Sequence, residues 1–243
     1  MAGSGGLARL TDEPRSKVAG MRTSSAVLVV LVGVLLTTVG CSRQVAGAAQ
    51  PDPHTPGTSV TKDGFGVIAG DPAAPVQIEL YTEPQCSHCA DLQHDFGRAI
   101  GSYIDLGQLA VTYRPLTFLD TGSGYSDRVS NALFLAAGPQ TTGPAFQAFV
   151  EDLWGHQDRS GKGPSDAEIA DMARKSGVGA EAADKIATGA SAMDVTAMGR
   201  TNFGYLLDID PIDTGTPTVY DLAKSEKLDI YDDNWLSKLM ASA

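Results

Sequence analysis

The stretch YTEPQCSHCADLQHDF runs from Tyr81 to Phe96 and holds two of the chain's three cysteines, Cys86 and Cys89, with Ser87 and His88 between them. Just upstream, VQIELYT (Val76–Thr82) alternates apolar and polar residues, which predicts a half-buried strand. Pro84 ends it, since proline cannot donate to a sheet ladder. Downstream, CADLQHDFGRAI sets Cys89, Leu92, Phe96 and Ile100 at helical spacing. The thiols therefore stand where a strand hands over to a helix.

Cys-x-x-Cys at such a junction has three readings. Half of a zinc site needs two further ligands. His88 lies inside the pair and His94 follows on the same helix, so neither forms a second ligand knuckle, and no metal or other cofactor is expected. A purely stabilising disulfide is weak, because a loop this short removes little chain entropy. A redox pair suits the flanking strand and helix best. Orphan N–H groups and the positive end of the helix dipole favour a thiolate on Cys86. His88, if protonated or donating a hydrogen bond, adds to this. Cys89, one turn on, faces inward with Leu92 and Phe96 as the resolving thiol.

Outward from this centre, FGVIAG (65–70) and LAVTYRPLTF (109–118) read as strands, and strand–helix–strand is the order of a right-handed crossover. A helical block follows over about 126–207. SDRVSNALFLAA has Ser126 as a candidate N-cap. PAFQAFVEDLW begins with Pro144 in a first turn. SDAEIADMARKSG carries the capping box Ser165–Glu168 and stops on Gly177. TPTVYDL and KLDIYD read as strands, and DNWLSKLM as a closing helix. Trp154 and Trp235 are expected in the core. GHQDRSGKGPS lacks the Ser or Thr of a phosphate loop, having Gly163 in that place.

The N-terminus has the order of a secretory signal: Arg9, Arg15, Lys17 and Arg22, then an apolar run from Ala26 to Leu36, then small residues. The run is short for a membrane span, which takes about 20 residues. Cys41 in TTVGCSR resembles a bacterial lipobox cysteine, with Gly40 fitting and Thr38 departing from the usual Leu. Lipidation at Cys41 is the preferred reading, ordinary cleavage or a retained anchor the others. Residues 1–40 are thus assigned to the signal, 41–63, rich in Pro, Gly, Ala, Ser and Thr, to a flexible tether, and 64–243 to the folded domain. The net charge is −11 for the chain and −13 without residues 1–40. Such acidity disfavours nucleic acid, which needs Lys and Arg against phosphate, and leaves a lipid anchor as the expected route to the membrane.

Pro217 in DTGTPTVYDL stands just before a strand, where composition alone suggests an ordinary trans turn proline. The strand VQIELYT, the helix CSHCADLQHDF, the helical block with ALFLAA, FQAFVEDLW and EIADMARKSGV, and GTPTVY near the end together resemble the DsbA-like thiol-disulfide oxidoreductases over about residues 64–243. The resemblance implies an α/β, thioredoxin-like fold with an inserted helical domain. It assigns Cys86 as nucleophile and Cys89 as resolving residue, makes the Thr216–Pro217 bond cis, and places Thr216 and Pro217 against extended, unfolded or reduced client proteins, with a membrane thiol oxidase for re-oxidation. Ser87 departs from the proline that many relatives carry, while His88 matches their more oxidising members. The strand acid many relatives have six residues before the first cysteine is absent, since Leu80 is there. Glu83 could substitute, though an exposed loop acid is the expected reading. The chain is thus expected to be an exported oxidase on the outer face of the cell membrane, with isomerase or reductase, and a non-catalytic binding module, as alternatives.

Overall fold

The computed structural model describes residues 55–158 and 162–242; the leader, Cys41 and His54 lie outside them. Six strands form one sheet: β1 (Thr58–Val60), β2 (Val67–Ala69), β3 (Val76–Thr82), β4 (Leu109–Pro115), β5 (Thr218–Asp221) and β6 (Glu226–Lys227), in the order β1-β2-β4-β3-β5-β6. Only β3 and β4 run parallel, Val76 opposite Leu109 through Thr82 opposite Pro115, and α1 (Ser87–Asp105) makes the crossover between them. β5 lies antiparallel on the other side of β3, with Leu80 opposite Val219 and Tyr81 opposite Thr218.

This register decides where the chemistry sits. The C-terminal end of β3 leads into Cys86, and the start of β5 brings Thr216 and Pro217 beside it.

The helical block comprises α2 (Tyr125–Ala136), α3 (Gly143–Gly155), α4 (Asp166–Ser176), α5 (Ala180–Ala187) and α6 (Val195–Ile209); α7 (Trp235–Ala241) closes the chain. α1 buries Cys89, Leu92, Ile100 and Ile104, a helical stripe set into one core with Ile78, Leu80, Phe146, Phe149 and Trp154. Trp235 is buried edge-on against Phe96, 5.4 Å between ring centroids. A smaller cluster of Tyr81, Leu116 and Leu206 is separate from the main core. There, Asn202 of α6 donates to Phe65 O at 2.9 Å and Pro115 O at 2.8 Å. α4 has both arms of the capping box, Ser165 with Glu168, and ends at Gly177 with φ of 90°.

Three expectations change in detail. The tether is shorter than composition suggested, because Thr58–Val60 pairs with β2 and Thr58 Oγ1 bonds to Gly138 O at 3.1 Å. Pairing and burial outweigh a composition that reads as linker. Ser126 is not an N-cap, since α2 starts at Tyr125 after Gly124. The Asp120 carboxylate instead accepts the N–H groups of Gly122, Ser123, Gly124 and Ser126. KLDIYD yields strand only at its first residue, as part of β6; Asp229 then accepts the Tyr231 N–H in a turn. Among the described residues no helix is long and apolar enough to cross a membrane.

Candidate active site

Cys86 is the N-cap of α1, with extended backbone. Its carbonyl receives the Cys89 and Ala90 N–H groups, so the helix begins on the cysteine itself. Both cysteines are free thiols. Cys89 is 1% exposed and Cys86 7%, so a reagent meets Cys86 first.

The two sulfurs are electrostatically unlike. The Cys89 thiol donates to the Cys86 sulfur and, against the opposing effect of burial, helped by Thr216 and the backbone N–H groups of Cys89 and His88, brings the Cys86 pKa down to about 6. Burial, then the neighbouring Cys86 sulfur, pushes Cys89 well up. The donors that could still hold a Cys89 thiolate are the Glu83 N–H and the Thr82 hydroxyl.

The helix terminus therefore acts on Cys86, but not as expected through the His88 ring. That ring is 67% exposed and its Nδ1 lies 3.7 Å from Asp91 Oδ2. In the first turn of α1 the His88 N–H points back at the cap while its ring projects outward, so His88 acts on the sulfur through its backbone.

Thr216 and Pro217 complete the centre. The Thr216–Pro217 bond is cis, Cys86 Sγ contacts Thr216 O at 3.1 Å, and Pro217 is buried. The Thr216 hydroxyl is buried beside the sulfur, where it favours the Cys86 thiolate.

Glu83 reverses an expectation. Instead of an exposed loop acid it is 0% exposed. Ser126 Oγ donates to its Oε1 at 2.5 Å and the Gln85 N–H to its Oε2 at 2.6 Å. Burial, only partly offset by these bonds, raises its pKa to about 7. The sequence carried a faint signal, an acid three residues before the first cysteine, but nothing local to show what would cover it. Glu79, next to Leu80 on β3, accepts from Tyr81 OH at 2.6 Å and from Arg114 Nε at 3.0 Å.

Sequence reading missed Gln157 altogether. Its Nε2 donates at 2.8 Å to both Pro84 O and Cys86 O. With Ser126 it holds the turn before Cys86 from the helical block. Among the described residues no cluster of His, Cys, Asp and Glu is set to hold a metal ion.

A family model described as Thioredoxin matches residues 62–220. The chain belongs to the thioredoxin family. Its fold is that of the MdbA and DsbA structures. The MdbA protein of Corynebacterium matruchotii, a thiol-disulfide oxidoreductase, superposes with a TM-score of 0.63 at 21% identity, over 76% of this chain and 92% of that one. Reduced DsbA from Mycobacterium tuberculosis gives 0.55 at 21% identity, over 74% and 92%. Serine/threonine-protein kinase PknE of Mycobacterium tuberculosis is 29% identical over 182 residues, 72% of this chain and 31% of the kinase, so the chain spans about a third of that relative's length.

Proposed function

We propose that this thioredoxin-family protein is an exported, lipid-anchored thiol-disulfide oxidoreductase that introduces disulfides into folding envelope or secreted proteins. The observation that carries the reading is the asymmetry of the pair: Cys86 caps α1 with its sulfur 3.1 Å from Thr216 O, while Cys89 is buried one turn on, which lowers the first thiol and raises the second. A low-pKa sulfur is a good leaving group, and its stability as a thiolate favours the dithiol form, which makes the disulfide oxidising.

In the oxidising direction a client thiolate attacks Cys86 of the Cys86–Cys89 disulfide. The sulfur–sulfur bond of the protein breaks, a mixed disulfide forms on Cys86, and Cys89 leaves and takes up a proton. The Glu83 N–H and Thr82 hydroxyl are placed to hold it as it departs. A second client thiolate then attacks the client sulfur and expels the Cys86 thiolate, which Cys89 and the helix terminus stabilise. Two electrons pass from client to protein, and an oxidant on the membrane would remove them again. The client chain would lie extended against Thr216 and Pro217, where main-chain hydrogen bonds tolerate many sequences. Lipidation at Cys41 would hold the domain at the outer face of the membrane.

The test is the reduction potential of the Cys86–Cys89 couple, measured by equilibration with glutathione, alongside oxidation of a reduced, unfolded client. A potential well above the roughly −270 mV of thioredoxin, together with client oxidation, is expected. A potential at or below that figure would point to a reductase.

A further inference from the structure

Two hollows meet at Pro217, next to Thr216, whose carbonyl oxygen lies 3.1 Å from Cys86 Sγ. One, of about 510 Å³, is lined by Thr216, Pro217, Ile230 and Tyr231 among others. The other, of about 210 Å³, shares Pro217, Ile230 and Tyr231 and reaches along α1 to Leu92 and Phe96. Together they form a groove whose floor is apolar, and Tyr231 stands in it 81% exposed.

Its rim is of one sign. Asp91, Asp95 and Asp233 line the smaller hollow, Asp213 and Asp229 the larger, and all five are exposed. Among the described residues Lys227 is the one lysine or arginine lining either hollow, and it is ion-paired with Asp210 at 2.6 Å. Among the described residues the ionic partners of Asp91 and Asp95 are histidine rings, and one of them, His88, also lines the smaller hollow.

We infer that this groove selects cationic client segments: extended peptides with Lys or Arg beside the reacting cysteine and an apolar side chain for the floor. The inference rests on the exchange reaction proposed above and adds its specificity. A client thiolate is itself an anion and meets a field of carboxylates on its way to Cys86. Flanking lysines offset that repulsion, whereas flanking glutamates add to it. Like-charge juxtaposition suppresses wrong partners, and one-signed clefts change encounter rates by tenfold or more at low salt. The floor accepts either peptide, so charge would decide between them.

The disulfide form of the protein, prepared with a chemical oxidant, is mixed with three dithiol peptides of equal length whose cysteines are flanked by lysines, serines or glutamates. Each peptide disulfide formed is matched to one protein dithiol by alkylation and mass spectrometry. Each rate is divided by that of the same peptide with neutral hydroxyethyl disulfide, which removes intrinsic differences in thiol reactivity. The lysine peptide should exceed the glutamate peptide about tenfold or more at low salt. The gap should shrink at high salt, and it should collapse in the triple variant Asp91→Asn, Asp95→Asn, Asp233→Asn. The ratio cancels any change in sulfur reactivity common to all peptides. Equal rates for the two charged peptides, or a ratio that survives the triple substitution, overturns the specificity while leaving the exchange reaction standing. No oxidation of any peptide, serine included, overturns the exchange reading and this one with it.

Discussion

At the scale of single residues, the two cysteines differ by position more than by sequence. One caps a helix and receives the other's thiol hydrogen, while that other is buried a turn later, and together these separate their titration. Cys86 should be the only thiol of the reduced protein alkylated quickly at neutral pH, with a rate that titrates near 6, well below the ordinary thiol range of about 8.5. Mass mapping of singly labelled protein checks this; equal labelling of Cys86 and Cys89 would sink the assignment.

Glu83 sets a second prediction. Its folded pKa of about 7 lies above the ordinary 4.5, so the folded state keeps its proton after the unfolded chain has lost it. Below pH 4.5 the carboxyl costs nothing; as pH rises to about 7 it removes on the order of 3 kcal/mol of stability. Urea unfolding of Glu83→Gln against the parent should therefore converge at acid pH and favour the variant at neutral pH. A constant difference across that range would mean the carboxyl is not buried in its charged form's disfavour. Because Glu83 and Cys86 repel when both are charged, the same variant should also lower the pH midpoint of Cys86 alkylation.

At the scale of elements, local rules hold where local chemistry suffices. Ser165, Glu168 and Gly177 announced both ends of α4, because a capping box and a left-handed glycine cap are written in contiguous residues. Ser165→Ala should cost about 1 kcal/mol in thermal or urea unfolding. Gly70 is a sharper case: its φ is +118° and a Cβ there would lie 2.6 Å from Leu109 O, a backbone atom of β4 that cannot step aside. Gly70→Ala should destabilise by roughly 1–3 kcal/mol or more, while alanine at Gly155, where a Cβ meets nothing within 4 Å, should be tolerated. The sequence was silent where an element's surroundings come from far away. Ser126 looks like a cap in isolation, but Asp120 caps that helix, which frees the serine hydroxyl for Glu83, 43 residues distant. Gln157 has no local reason to be singled out. His88 was placed correctly on the helix but given the wrong working part, because spacing fixes a residue's position and not its rotamer.

At the scale of the whole molecule, the architecture was legible because strand, redox junction, helical block and late proline occur in an order few folds share. The start of the fold was not: residues 58–60 read as linker, and only their pairing with Val67–Ala69 makes them sheet. The leader lies outside the described residues, so its reading stands on sequence alone. Mass spectrometry of the membrane fraction should find a mature chain beginning at a diacylglycerol-modified Cys41; a soluble product cut elsewhere would remove the anchor and leave the fold untouched. The hydrogen bonds from Ser126 and Gln157 carry one more consequence. The turn that presents Cys86 is finished by a segment that arrives after the crossover is complete. A shortened chain with residues 125–209 replaced by a loop would therefore keep the sheet's hydrogen-bonding plan yet present Cys86 on an unmoored turn. The inserted helices are thus part of the catalyst's mould, and transplanting Cys-Ser-His-Cys alone into a smaller relative would carry over the letters without the shape.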